Sequence, residues 1–313
     1  MSMQPRHVEA GPEDAGQRID NYLRRVIKGA PKGLIYRLLR TGQVRVNRRR
    51  IRAHYRLEEG DQVRIPPVSE RASRSGRAPE GLQASLGQRI LYEDDRLLVI
   101  NKPSGVPVHA GSGLDYGLID ALRQARPSAH YLELVHRLDR ETSGCLIIAK
   151  RRSTLRRMHA QLREGKVEKR YWTLLAGNLP EARRVRASLQ RRARGSGENR
   201  VVVDDGGKAS LTHLVPVRQW RDWTLVEAIL ETGRTHQIRV HAAHVGLPVA
   251  GDERYGDRNR NRMIRRLGLR RLFLHASRLQ FDHPDRPGQV VSVEAPLEER
   301  LEAVLEKLDR EEN

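Results

Sequence analysis

A single cysteine, Cys145, excludes an internal disulfide and any zinc site built on cysteine. It lies in the apolar run Cys145-Leu146-Ile147-Ile148-Ala149, where it reads as a small buried hydrophobe rather than a reactive thiol. Aromatic residues are also scarce, with two Phe, three Trp and eight Tyr, so a site that must stack on a planar ligand has few side chains to draw on. No apolar run is long enough to span a bilayer. Neither a lipidation signal nor an apolar segment follows Met1-Ser2-Met3-Gln4. The expectation is a soluble, cytoplasmic protein with no membrane partner. Acidic side chains are outnumbered, 39 against 59 Lys and Arg, for a net charge of +20. A field of that sign concentrates polyanions, and nucleic acid fits best.

The 313 residues allow one or two domains. Residues 18 to 65 read as a small basic module. Ile19, Tyr22, Leu23, Val26 and Ile27 recur at helical spacing, and Gly29 and Pro31 punctuate. Leu34, Ile35, Leu38 and Leu39 form a second stripe that Gly42 is placed to end. Gln43 to Asn47 and Asp61 to Ile65 alternate like strands around a basic turn at Arg48-Arg49-Arg50. This stretch holds 14 Lys and Arg against four acids, half the net charge of the whole chain, which points to RNA binding. Through Arg18-Ile19-Asp20, Tyr36-Arg37-Leu38 and Gly42 to Asn47, it resembles the S4 RNA-binding domain. The module is assigned to 15–68, and 69–88, rich in Ser, Arg, Gly and Pro, reads as a flexible linker. The remainder, 89–313, shows many short β-like runs with a few interleaved helices at 153–164, 234–245 and after Leu297. That pattern suggests an α+β fold with a mixed, mainly antiparallel sheet.

The densest group of functional side chains is His136-Arg137-Leu138-Asp139-Arg140-Glu141-Thr142-Ser143-Gly144, set directly before the apolar strand. A loop pinned against a strand is where scaffolds display reactive groups, although composition alone accounts for it equally well as a capped polar turn. The nonapeptide resembles the signature of the RluA family of pseudouridine synthases, in which the Asp is the essential residue. Asn101-Lys102-Pro103-Ser104-Gly105 with His109 is similar to that family's first motif. Lys169-Arg170-Tyr171 is similar to its tyrosine motif, and Thr232 to His241 to its arginine motif. Gly251-Asp252, Tyr255 and Leu274-His275-Ala276 match trailing features. The resemblance covers nearly the whole chain. It implies an N-terminal S4-like module followed by a pseudouridine synthase catalytic domain. It also implies a monomer that modifies structured RNA of the large ribosomal subunit with no cofactor and no metal.

Pseudouridine formation breaks the N1–C1′ bond, turns the uracil, and joins C5 to C1′, so nothing is oxidised and no group is carried. A carboxylate near C1′ can attack it, stabilise a cation-like sugar, or remove the C2′ proton, and the residues leave these routes open. The resemblance gives this place to Asp139, with Arg239 as its guanidinium partner. That partner is expected to hold the carboxylate by two hydrogen bonds and to offset the effect of burial on its pKa. Tyr171 is expected to stack on the extracted uracil and to assist proton loss at C5. Ile238 is expected to form part of the wall, and Arg137 to fill the gap left by the flipped base. His136, Arg140 and Lys102, together with Arg37 and Arg45 of the S4-like module, are assigned to substrate binding. Two arginine tracts, 183–200 and 254–271, are expected to hold phosphates, the first as a mobile hairpin around Gly195-Ser196-Gly197.

Two other classes of function compete with this reading. Metal-dependent hydrolysis could use His236, His241 and His244, but their spacing is not His-Glu-x-x-His and no acid lies between them. A ribosome-assembly or RNA-binding protein with a degenerate catalytic domain would suit the composition, yet Asp139, Tyr171 and Arg239 are all in place. A synthase acting on transfer RNA is the remaining alternative.

Overall fold

The computed structural model describes residues 4–27, 30, 32–67, 77–110, 115–193 and 199–312. The chain divides into two units, Met1–Arg77 with Ser112–Tyr116, and Ala78–Gly111 with Gly117–Asn313.

In the first unit, strand β1 (Arg6–Glu9) precedes helices α1 (Ile19–Val26) and α2 (Lys32–Arg40) and strands β2 (Arg45–Val46) and β3 (Gln62–Ile65). The apolar stripes legible in the sequence form its core: Ile19, Tyr22, Leu23 and Ile27 pack with Ile35, Leu38, Leu39, Val46 and Val63. Arg18 and Tyr36 both donate to the buried Asp20, at 2.8 and 2.9 Å, and so tie the start of α1 to α2. Gly42 follows α2 at φ +68°, a conformation that costs glycine no Cβ clash. The basic turn is present, with Asn47 and Arg48 both left-handed. The unit begins earlier than the expected residue 15. Strand β1 pairs antiparallel with β3, Arg6 opposite Ile65, and because only Val8 of that strand is partly covered, no alternation marked it.

The second unit opens with helix α3 (Glu80–Gln88) and strands β4 (Ile90–Glu93) and β5 (Leu97–Lys102). Helix α4 (Leu118–Ala125), strands β6 (Glu133–Leu134) and β7 (Ser143–Ala149), and helix α5 (Arg152–Arg163) follow. Then come strands β8 (Glu168–Ala176), β9 (Arg183–Arg186), β10 (Leu189–Ala193), β11 (Asn199–Val203), β12 (Leu211–Trp220) and β13 (Trp223–Leu230). Helices α6 (Gln237–His244) and α7 (Arg258–Arg266), strands β14 (Leu274–Asp282) and β15 (Val290–Glu294), and helix α8 (Glu299–Glu312) complete it.

Ten of these strands form one sheet in the order β4-β5-β7-β14-β8-β13-β12-β9, with β6 added to β7 and β15 to β14. Among the described strands its pairings are antiparallel except one, β7 with β14, which lasts only two residues: Ser143 opposite His275 and Gly144 opposite Ala276. From Arg278 onward β14 pairs with β15, so the sheet forks there. The loop carrying Asp139 ends at this fork. The expected mixed, mainly antiparallel α+β architecture is the observed one.

Part of the expected linker is structured. Residues 69–76 lie outside the described ones, as do Gly29 and Pro31, but Glu80–Gln88 is helical and packs on α4 with Leu86 buried. Two internal glycines depress its intrinsic propensity, and packing restores what propensity lacks. The hairpin expected near 183–200 is β10–β11, its two strands antiparallel, while Gly195-Ser196-Gly197 fall outside the described residues. Helix α8 buries Leu301, Val304 and Leu308 as its stripe indicated. No helix among the described residues is long and apolar enough to cross a membrane.

Candidate active site

Three stretches of the second unit line one cleft of about 680 Å³: the loop before β7, the face of β8, and the turn that opens α6. Asp139 belongs to the first. Its side chain keeps 17% exposure, and Thr142 N–H donates to its backbone carbonyl at 3.2 Å, curling the loop. The residues after it are tied to the first motif. Lys102 Nζ donates to the carbonyls of Pro103, Val106 and Arg140 at 2.9, 2.8 and 3.0 Å. Gly105 N–H also reaches the Arg140 carbonyl, at 2.9 Å. Ser104 Oγ donates to the Glu141 carbonyl at 2.8 Å.

The turn before α6 is locked by Gln237. Its Oε1 accepts from Thr232 Oγ1 and Arg234 N, and its Nε2 donates to Leu211 O and Thr212 Oγ1, all within 2.8–3.0 Å. His236 enters α6 in the left-handed conformation, φ 55°. Its Nδ1 lies 2.8 Å from Tyr255 Oη, and the two rings meet edge to face at 5.5 Å. The Val201 amide donates into the same phenol oxygen at 3.1 Å. The phenol proton therefore goes to His236 Nδ1, which places the imidazole proton on Nε2. That nitrogen is 3.7 Å from Asp139 Oδ2. Burial lowers the pKa of His236 despite the nearby Asp139 carboxylate, so the ring is neutral at physiological pH.

Arg239, one turn into α6, reaches Asp139 Oδ2 with Nη1 at 3.4 Å. Its two-point fork is spent elsewhere: Nε and Nη2 donate to Asp252 at 2.7 and 2.8 Å. This corrects the expected bidentate pair with Asp139. Asp252 is fully buried and also accepts from the Arg254 and Tyr255 amides. Burial pushes its carboxyl up, but Arg239 and these amides together outweigh burial and hold it below the usual carboxylate range. Arg239 is thus a charged strut anchored on Asp252, with its third nitrogen left for Asp139.

Tyr171 lies on β8 between Ala228 of β13 and Ala276 of β14, small neighbours that leave its ring room on the cleft side. Burial first, then Asp139, push its phenol well above the ordinary value, so it stays protonated. Ile238 is buried in the cleft wall, and Arg137 is exposed at its rim. Asp139, Tyr171, Arg239, Ile238 and Arg137 therefore meet in one place.

The pattern of the RNA pseudouridylate synthase family matches residues 96–244, and that of the S4 domain matches residues 17–63. The ribosomal large subunit pseudouridine synthase C of Escherichia coli is 50% identical over 301 residues, 95% of this chain and 94% of that one. Its counterpart in Haemophilus influenzae is 48% identical over 299 residues, 95% and 92% of the two chains. This chain belongs to the RNA pseudouridylate synthase family. It is an RNA pseudouridine synthase that carries an S4 domain. The solved structure of human RNA pseudouridylate synthase domain containing 4 superimposes on 73% of this chain and 96% of its own, at 27% identity and a TM-score of 0.60.

Several residues expected to bind substrate have other work in this family member. Lys102 is fully buried and grips three carbonyls, so it braces the Asp139 loop from behind instead of lining the cleft. His136 faces the cleft, but its Nε2 accepts the Ile147 amide at 3.1 Å. Burial, with Lys169 adding to it, lowers the His136 pKa to about 4, which keeps the ring neutral. Arg140 is exposed and donates to the Gly105 carbonyl at 2.9 Å. Arg37 and Arg45 are exposed side chains of the first unit, Arg45 with a 3.2 Å bond to the Gly42 carbonyl. His241 is buried, its ring set between Thr212 Oγ1 at 2.9 Å and Ser210 Oγ at 3.0 Å, and so is not free to face a metal with His236. Among the described residues, no group of His, Cys, Asp and Glu is arranged to hold a metal. The contributions of His236, Asp252 and Lys169 were not read from sequence. Gly251-Asp252 stood out only as a trailing motif, with no sign that its carboxylate receives the arginine.

Proposed function

We propose that this protein converts uridine to pseudouridine in RNA of the large ribosomal subunit, in the cytoplasm and without a cofactor, with Asp139 at C1′ of a flipped nucleotide. The observation that carries the reading is the Asp139 carboxylate in a cleft walled by Tyr171 and Ile238, 3.4 Å from an arginine whose other nitrogens are anchored on a second carboxylate. The anchorage of that arginine on Asp252 keeps it from collapsing fully onto Asp139. Extraction of the base costs a few kcal/mol of stacking and pairing, which Tyr171 and the exposed Arg137 offset from the two sides of the gap. Tyr171, its phenol pushed up by burial and then by Asp139, offers the base a ring face and a hydroxyl. The choice of large-subunit RNA over transfer RNA rests on the names of the two relatives cited above.

The test is tritium release from RNA carrying 5-tritiated uridine, with wild type and Asp139→Asn on large-subunit ribosomal RNA and on transfer RNA, in chelator. Release by the wild type alone, on ribosomal RNA alone, is expected. Undiminished release by Asp139→Asn would remove the carboxylate from the chemistry, and release confined to transfer RNA would replace the substrate.

A further inference from the structure

Strand β8 carries a second group on the catalytic face. Side chains two apart on a strand share a face and lie about 7 Å apart, so Lys169 stands beside Tyr171. Their neighbour Arg170 points the other way, to Glu168 and Glu227. Lys169 is 7% exposed and lines the same cleft as Asp139. It makes no hydrogen bond or ion pair with any described residue. Burial alone lowers its pKa, with no carboxylate near enough to oppose it, and the imidazole on which it acts, His136, is neutral. A buried, unpartnered ammonium is costly and is retained where a ligand supplies the missing acceptor. The RNA phosphates are poor candidates for that acceptor. Arg137, Arg163 and Arg234 are exposed around the same cleft and suit phosphates at its mouth, whereas Lys169 lies deeper, level with the ring of Tyr171.

We propose that Lys169 donates a hydrogen bond to an exocyclic oxygen of the target uracil and stabilises the charge the base carries while it is detached from the sugar. The inference rests on the uridine-isomerase reading above. When N1–C1′ breaks, its electron pair stays with the base and spreads from N1 onto O2 and O4. After the base turns, C5 supplies the pair that rebuilds the bond to C1′, and the C5 proton leaves to solvent. The negative charge exists only between these two events, so a fixed cation beside it lowers the barrier more than it tightens binding.

The experiment is single-turnover conversion of a large-subunit ribosomal RNA fragment by full-length wild type, Lys169→Met, Lys169→Cys and Asp139→Asn. The fragment carries either uridine or 5-fluorouridine at the target. The fluorinated base has a more acidic N1 and leaves more readily, and because it has no C5 proton to lose, conversion is read on both bases as the exchange of the N1–C1′ bond for C5–C1′. Lys169→Met is expected to convert uridine about a hundredfold more slowly at unchanged RNA affinity, and to lose only about tenfold or less on 5-fluorouridine. Treating Lys169→Cys with 2-bromoethylamine rebuilds an ammonium of similar reach and is expected to restore the rate, because the one native cysteine, Cys145, is buried. Equal losses on the two bases, a change confined to affinity, no rescue on alkylation, or a wild-type rate in Lys169→Met would each overturn the proposal. A wild type that converts neither RNA, or an undiminished Asp139→Asn, overturns the isomerase reading and this inference with it.

Discussion

Two basic residues that look interchangeable in the sequence have opposite fates. Arg239 grips Asp252 with a planar two-point fork and keeps a third nitrogen for Asp139, a geometry that the compact ammonium of lysine lacks. Lys102 instead matches three N–H donors to three carbonyls in a site with no exposure. Burial, with Arg271 adding to it, lowers its pKa from 10.5 to about 7. Between those values the unfolded chain holds the proton and the folded chain releases it, so this group makes stability rise as pH climbs from about 7 towards 10.5. Lys102→Met abolishes that titration. Urea unfolding at neutral pH and near pH 10 should show wild type gaining stability relative to Lys102→Met at the higher pH. A gap that stays constant would mean that Lys102 keeps its ordinary pKa in the folded chain.

Among the elements, β7 matters most, because the loop bearing Asp139 runs straight into it at the fork of the sheet. Gly144 makes the close approach possible. Its φ is +103°, and a Cβ there would lie 2.2 Å from the Ala276 carbonyl oxygen. Ser143 beside it accepts from Arg271 at 2.9 Å and meets His275 Nδ1 at 2.9 Å, so the two-residue parallel pairing is cross-braced by side chains. Gly144→Ala should cost about 3 kcal/mol of stability. It should also lower tritium release by displacing Asp139, whereas Gly165→Ala, at a φ of +72° with open space around it, should cost less. Denaturant midpoints for the two variants check this, and equal costs would show that the β7–β14 contact gives way easily. Most of these elements were legible in the sequence, because the stripes of α1, α2 and α8 and the apolar runs of β5 and β7 are long and periodic. Strand β12 was not, and Pro216 is the reason. Proline removes a ladder donor, and it is tolerated here because the pairing of β12 with β9 stops at Leu214, opposite Arg183, so that edge has no partner strand at Pro216 among the described residues. Strand β14 was hidden because the buried polar residues His275 and Ser277 break its apolar run, leaving only Arg278 and Gln280 to alternate with Leu279 and Phe281.

On the scale of the whole molecule, the +20 charge sets how the protein meets RNA. Of the arginines on α7, Arg260 is paired with Asp222 and Arg265 with Glu253, whereas Arg258 and Arg262 are exposed and suit phosphate contacts. Replacing both Arg258 and Arg262 by Ala should weaken RNA binding and reduce the slope of log affinity against log salt by about 1.5. The rate at saturating RNA should stay unchanged. A titration series from low to moderate salt reads the slope, and an unaltered slope would take α7 out of the RNA interface.

The sequence by itself determined the charge, the two-part organisation, the α+β class, and the family to which its motifs belong. Those properties are written in composition, in apolar periodicity and in the identity of short segments. Only the tertiary structure decided the partners of the charged side chains: Arg239 clasped by Asp252, Lys102 turned into the core behind the Asp139 loop, His136 held to β7, and Lys169 left in the cleft with nothing to bind. The physical reason is that a buried charge takes its meaning from whichever donor or acceptor lies within about 3 Å. Pairings such as Arg239 with Asp139, 100 residues apart in the chain, are set by strand register and loop closure, which local patterns do not encode.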